Sequence, residues 1–244
     1  MNTSKLAQLH GRAEPRQACS WIRRRTGPAL SAAALSLLVA GCAPTRFETT
    51  TSIPKPLVEK IPVTVGVYLP LEFREKVYEE KRQQGGGEYV IGLGKAQAAG
   101  FMRVIDAMFE RVVPVSSPAA ARQIDPAIRG VLEPVLDDYA FVTPIDSGTQ
   151  AYAASLKYTV RLYSPDGELA DSWTFTGYGS EAASSFPGKG DEALQAATQL
   201  AMRDAAAKLA AEFREQAIAR ALVAPGAPPP AVEVSAPPQQ DPPH

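Results

Sequence analysis

Histidine and cysteine are nearly absent from this sequence. The chain has two of each among 244 residues, and the histidines are His10 and His244. Neither histidine lies in the segment that reads as a folded domain, so a Ser-His-Asp triad, an HExxH zinc site and a Cys-His protease site are excluded. The two cysteines, Cys19 and Cys42, also precede that segment. A disulfide within the domain is therefore excluded as well.

A long hydrophobic run is also missing. Residues 29–40 are small or apolar and follow three arginines, Arg23 to Arg25. A membrane-spanning helix needs roughly 20 apolar residues, and this stretch is shorter. A basic stretch followed by a short apolar one is typical of a secretory signal. We therefore interpret residues 1–41 as a signal peptide.

The signal ends in Val39-Ala40-Gly41-Cys42. This tetrapeptide resembles the lipobox of bacterial lipoproteins, which implies cleavage between Gly41 and Cys42 and covalent acyl chains, such as palmitate, on Cys42. Two or more chains hold a protein stably on a membrane. The resemblance thus implies a lipid on Cys42 and a membrane as one partner. We expect no other cofactor and no metal. In related lipoproteins, Asp after the cysteine retains the protein at the inner membrane. Ala43 therefore favours the periplasmic face of the outer membrane over the inner membrane.

The charge of the remaining chain argues against nucleic acid as a partner. Six of the 25 Lys and Arg residues precede Cys42, but only one of the 26 Asp and Glu residues does, which leaves a net charge of −6. Nucleic-acid backbones are bound by clustered Lys and Arg, and the sequence has no such cluster beyond the signal.

Both ends of the mature chain have the composition of unfolded segments. Residues 42–60 contain three prolines and a Thr-Thr-Thr-Ser run, which predicts a flexible tether between lipid and domain. Residues 223–244 contain eight prolines, which predicts a disordered tail. One domain is therefore expected over residues 61–222.

The periodicities inside residues 61–222 predict an α+β fold. A hairpin is clearest, since apolar side chains alternate along residues 152–162, a Ser-Pro-Asp-Gly turn follows at 164–167, and the return strand alternates through Trp173. Helical spacing is present in residues 95–110 and in a segment from Asp191 to about Leu222. Residues 72–84 are charged, and they are compatible either with a helix or with a solvent-exposed loop. Pro134 predicts an edge or a bulge in its strand. We expect a two-layer sandwich, a mostly antiparallel sheet with two main helices on one face.

Two segments give the domain a resemblance to small α/β periplasmic modules. They are the strand-to-helix passage at residues 89–96 and the alanine-rich Ala201-Met-Arg-Asp-Ala205. They resemble the N-terminal domain of the Tol translocation protein, the curli-secretion lipoprotein and the penicillin-binding-protein activator lipoproteins. The resemblance implies a part in assembly, secretion or regulation and no enzymatic activity.

Three patterns have a chemical alternative that we weigh and set aside. Gly92-Leu-Gly-Lys-Ala-Gln97 begins like a dinucleotide fingerprint, but Gln97 stands where the third glycine belongs. Asp137 and Asp138 are neighbours on a strand and are expected to point to opposite faces. Ser155 and Lys157 share a strand face like a Ser-Lys dyad, but an ordinary exposed polar face explains them better.

The remaining polar surface predicts a role in binding a protein. Lys157 and Arg161 are expected to face outward and to contact an envelope protein of a transport, secretion or peptidoglycan-synthesis complex. Trp173 is expected under the long helix near Ala201 and Ala205. The alternative function is binding of a small apolar or lipidic ligand between sheet and helices, which requires a pocket of several hundred cubic ångströms.

Overall fold

The structure is a computed structural model that describes residues 44–50, 53–82 and 87–222. The predicted signal peptide, Cys42 and the predicted tail at 223–244 lie outside the described residues. The elements in chain order are β1 (Thr45–Glu48), β2 (Ile61–Val67), α1 (Leu71–Arg74), β3 (Val77–Lys81), β4 (Glu88–Gly92), α2 (Gly94–Met108), β5 (Phe109–Pro114), α3 (Ala121–Ile124), β6 (Ile128–Val142), α4 (Pro144–Ser147), β7 (Ala151–Tyr163), β8 (Leu169–Ala182), α5 (Gly190–Glu212) and α6 (Ala217–Leu222). None of the helices in these ranges is long and apolar enough to cross a bilayer.

The strands form two sheets, and the α+β class is confirmed. The larger sheet has the order β5-β2-β6-β7-β8, and the smaller has the order β1-β4-β3. The hairpin strands β6, β7 and β8 are antiparallel as expected, whereas β2 is parallel to both β5 and β6, and β1 is parallel to β4. The parallel β2–β5 pair follows from the chain between them, because parallel neighbours need a crossover and α2 supplies it.

The hairpin of β7 and β8 agrees closely with the alternation of apolar residues in the sequence. The side chains of Ala154, Leu156, Tyr158, Val160 and Leu162 are buried in the main core. Gly167 closes the turn at φ 93°, a left-handed conformation that glycine adopts without strain, and its N–H donates to Ser164 O at 2.9 Å. Leu169 has the parity of Trp173 and Phe175 along β8, but it is 59% exposed because the register shifts beside the turn.

Helix α5 lies close to β8 because both surfaces are built from small residues. Ala197, Ala201 and Ala205 are buried, and the backbone of α5 there faces Gly177 and Gly179 of β8. Trp173 therefore does not fill the space beside Ala201 and Ala205. It lies further along the helix, stacked on Phe175 with ring centroids 4.6 Å apart and edge-on to Phe213 at 6.2 Å.

The predicted flexible tether is wrong for residues 45–49 and for Ile53. Thr45–Glu48 form β1 beside β4, and Thr49 N donates to Gly92 O at 2.8 Å. Ile53 is 6% exposed and packs in the core, where Arg103 donates to its carbonyl at 2.9 Å. Composition did not reveal this because the segment has few apolar residues and its strand is only four residues long.

The charged stretch at residues 72–84 contains one turn of helix and an edge strand. Its described part, residues 72–82, contributes most of α1 and all of β3, and among the described strands β3 pairs only with β4. Pro134 lies past the last β6 residue that pairs with β2, so β6 has one neighbouring strand there, as an edge position for proline requires.

The long helix α5 is shorter than the helical spacing of the segment from Asp191 to about Leu222 predicts. It begins at Gly190, and a 3-10 turn at Phe213–Glu215 separates α5 from α6. The break lets Phe213, Ile218 and Leu222 all reach the core, where each is at most 2% exposed.

Candidate interaction surface

One face of the β6–β8 sheet is turned away from α2 and α5. We call the outward residues of β7 from Ser155 to Arg161, with their β6 and β8 neighbours, the polar sheet face. The strands alternate, so Ser155, Lys157, Thr159 and Arg161 point outward between the buried core residues. Both predicted contact residues therefore lie on this face.

Arg161 is already paired within the domain. Its Nη1 lies 3.6 Å from Glu133 Oε2, and Tyr163 donates to the same oxygen at 2.6 Å. Partial burial lowers the pKa of Arg161, but the Tyr163 hydroxyl and the Glu133 charge raise it by more. Partial burial and the Glu133 hydrogen bond likewise raise the pKa of Tyr163, so it stays a donor. Since the Glu133 side chain is only 9% exposed, this cluster holds a nearly buried carboxylate.

Lys157 is exposed and lies between Asp138 of β6 and Thr176 of β8. Within the described residues it makes no ion pair and no hydrogen bond to Ser155, so the two do not form a dyad there. Of the two predicted contact cations, Lys157 is thus the one free to meet a partner's carboxylate.

The two neighbouring aspartates are both exposed, which contradicts the expected alternation. The register of β6 shifts between Leu136 and Asp138, so the extra residue of a β-bulge intervenes. Thr159 donates to Asp137 at 2.6 Å and, having one proton, accepts from Thr174 at 2.7 Å. Asp137 and Asp138 therefore both belong to the polar sheet face.

The backbone N–H groups of the glycine motif at the start of α2 are already bonded within the protein. The N–H groups of Leu93 and Gly94 both donate to Lys76 O at 2.9 Å, and the Glu48 carboxylate lies over Gly92. A phosphate would meet an anion there rather than free donors. Gln97 is 4% exposed and donates to Phe73 O at 2.6 Å, which explains an amide at this position.

An apolar cavity of about 40 Å³ lies between the sheet and α2 and α5. Ile53, Phe73, Tyr158 and Phe175 are among the residues that line it, and burial raises the pKa of Tyr158. Ligand pockets measure roughly 300–1,000 Å³. The cavity does not favour the lipidic-ligand alternative.

A cluster that no local sequence pattern predicts surrounds Arg82. Its guanidinium pairs with Glu80 at 2.7 Å and with Asp146, and donates to Phe141 O at 3.1 Å. It also lies over the rings of Phe141 and Tyr89, at 4.2 and 5.3 Å. We call these five residues the Arg82 corner.

The groups of the Arg82 corner pair with one another, as in a cluster with a structural role. Burial, then the hydrogen bond to Glu80, raise the pKa of the adjoining Tyr78 to about 12, so that phenol stays protonated. Every charged group of the corner has a partner within it. Across the described ranges, no three His, Cys, Asp or Glu side chains lie close enough to hold a metal ion.

Comparison with known proteins gives distant structural neighbours. No family model matches the chain, and no curated protein matches it. A DUF330 protein from Xanthomonas campestris aligns at 15% identity over 69% of this chain and 94% of its own, with a TM-score of 0.45. A minor lipoprotein from Acinetobacter baumannii aligns at 9% identity over 64% and 94%, with a TM-score of 0.39. A lipoprotein from Neisseria meningitidis aligns at 9% identity over 49% and 85%, with a TM-score of 0.26.

Proposed function

We propose that this chain is a lipoprotein anchored through Cys42 to the periplasmic face of the outer membrane. Its domain is a non-catalytic interaction module that serves an envelope transport, secretion or peptidoglycan-synthesis complex. The observation that carries the proposal is the polar sheet face. Its apolar underside is packed beneath α2 and α5, while Lys157 stands outward without an ion pair in the described part of the chain.

The partner's surface should form hydrogen bonds and carry charges of both signs, because the polar sheet face presents Lys157 beside Asp137 and Asp138. Lys157 supplies an ammonium group, and Thr174 and Thr176 beside it supply hydroxyl groups. Electrostatic complementarity of this kind chiefly sets specificity and the rate of association. Arg161 supports the surface by holding Glu133 and is not itself a free contact.

The anchor is tested by metabolic labelling with an alkyne analogue of palmitate. Cys42→Ala should lose the label completely, because the lipobox has meaning only with the cysteine in place. Cys19→Ala, the other cysteine of the chain, should keep it. Label that persists in Cys42→Ala contradicts the anchor.

The partner surface is tested by photo-crosslinking in intact cells. A benzophenone amino acid replaces Lys157 in one strain and Lys95, an exposed lysine on α2, in the matched control. One discrete adduct at position 157 that is absent at position 95 supports the polar sheet face. Equal adducts at both positions, or none at position 157, contradict it.

A further inference from the structure

The connection between the proposed lipid and the folded domain is very short. Only Ala43 and Pro44 separate Cys42 from Thr45, the first residue of β1. At roughly 3.5 Å per residue, the chain from Cys42 to Thr45 spans no more than about 10 Å. An acylated Cys42 therefore holds the start of β1 beside the lipid headgroups.

The start of β1 lies at the same end of the domain as α4. Thr45 pairs with Tyr89 of β4, and the ring of Tyr89 contacts Phe141 at a centroid distance of 4.8 Å. Phe141 lies at the end of β6, where the chain turns into α4. A chain of direct contacts thus connects the anchored strand to the α4 corner, residues Pro144–Ser147.

The α4 corner presents an isoleucine to the outside on a rigid support. Ile145 is 76% exposed. Thr143 and Asp146 form a capping box around it, and Asp146 also pairs with Arg82. Single exposed apolar side chains are common on proteins. This one stands at the end that the short connection holds near the bilayer.

We propose that this end of the domain rests on the membrane, with Ile145 inserted in the headgroup region beside the acyl chains of Cys42. The inference depends on the lipid anchor proposed above. Apolar side chains add to the binding of acylated proteins at the interface, where one chain alone holds marginally. The occupant of the α4 corner is therefore a lipid surface.

Docking in this way limits where a partner binds. Strand β7 begins next to the α4 corner and runs away from it for 13 residues, about 40 Å at 3.3 Å per residue. Lys157 stands six residues along it, about 20 Å from the start of β7 on the same scale. A partner of the polar sheet face must therefore extend about that far beyond the α4 corner.

The test uses the full acylated protein in phospholipid vesicles and a nitroxide spin label. Because Cys42 is the only cysteine after the signal and is acylated, one introduced cysteine takes the label. Ile145→Cys reports on the α4 corner, and Glu168→Cys, exposed in the far turn of the hairpin, is the matched control. Collision with oxygen, which enters the bilayer, is compared with collision with a water-soluble nickel chelate.

The label at position 145 should collide preferentially with oxygen, and the label at position 168 with the nickel chelate. A Gly/Ser insertion of about 20 residues between Ala43 and Pro44 adds about 25 Å of reach and should return position 145 to the aqueous pattern. Mass spectrometry of the Cys42 peptide separates the two proposals. An acylated protein with an aqueous label at position 145 overturns the docking and leaves the anchor intact, whereas a protein without acyl chains overturns the anchor.

Discussion

Gly177 of β8 lies against the backbone of Ala201 in α5 with no space for a side chain between them. A Cβ on Gly177 would also come within 2.6 Å of the Ala205 nitrogen. Gly179 repeats the relationship one turn earlier on the helix, against Ala197. The distance between sheet and helix is therefore set by backbone contact, which cannot yield as a flexible side chain does.

Gly177→Ala should lower the free energy of unfolding by about 1–3 kcal/mol, the usual cost of overpacking. Urea denaturation measures it, with an unchanged m-value. Thr176→Ala, on the polar face of the same strand, is the control and should stay within about 0.5 kcal/mol. An unchanged midpoint for Gly177→Ala would mean that α5 lies further from β8.

The two cations of the polar sheet face should differ in their effect on stability. Arg161→Ala removes the ion pair of Glu133, whose side chain is 9% exposed, and should cost about 1–3 kcal/mol. Lys157→Ala should cost less than about 0.5 kcal/mol. Adding Glu133→Gln to Arg161→Ala should restore part of the loss, because the uncompensated charge is then gone. Thermal or urea unfolding checks all three variants.

Patterns that depend on one element's own periodicity were predicted well. The alternation of β7 and the Ser164–Gly167 turn identify the hairpin, because a strand with one buried face must alternate. The helical spacing of residues 95–110 likewise anticipates α2 to within two residues at each end. Each of these signals is local, so the sequence alone carries it.

Features that depend on a distant partner were not predicted. The burial of Ile53 requires α2 and α5 beside it, and no local pattern records that. The bulge at Asp137 turns two adjacent carboxylates outward, against the period of two. The pairing of Arg82 with Asp146 joins residues 64 positions apart. The outward positions of Lys157 and Arg161 follow from alternation, whereas the pairing that distinguishes them comes from β6.

A matched pair of truncations tests the C-terminal boundary of the domain. Ending the chain after Leu222 should leave the melting temperature within about 5 °C, because the removed proline-rich composition is not expected to fold. Ending it after Gln216 also removes Ile218 and Leu222, which are 1% and 2% exposed. The loss of two buried aliphatic side chains should cost several kcal/mol, at about 2–5 kcal/mol for each. Differential scanning calorimetry measures both, and equal melting temperatures would contradict the role of α6.

The Arg82 corner makes stability depend on pH in a definite direction. Partial burial raises the pKa of Asp146, but hydrogen bonds from Thr143 and Arg82 outweigh it and lower the pKa below the usual value. Burial likewise raises the pKa of Glu80, and hydrogen bonds from Arg82 and Tyr78 lower it by more. Because both folded pKa values are depressed, the unfolded chain binds more protons at acidic pH. The stabilisation is complete above about pH 5 and is lost as the pH falls through the folded values.

Arg82→Met should therefore cost about 1–3 kcal/mol at pH 7, the range for hydrogen bonds to charged groups, and markedly less at pH 3. Urea unfolding of wild type and variant at both pH values gives the two differences. Arg122→Met is the control, since its pair with Asp166 is about 60% exposed on both sides and such pairs contribute little at either pH. A difference for Arg82→Met that does not change with pH would mean that Arg82 stabilises the corner by packing over the Phe141 and Tyr89 rings rather than through its carboxylates. Arg82→Lys then separates charge from shape: it keeps a cation near Asp146 and Glu80 but loses the planar group over the rings, so it should retain the pH dependence and only part of the stability.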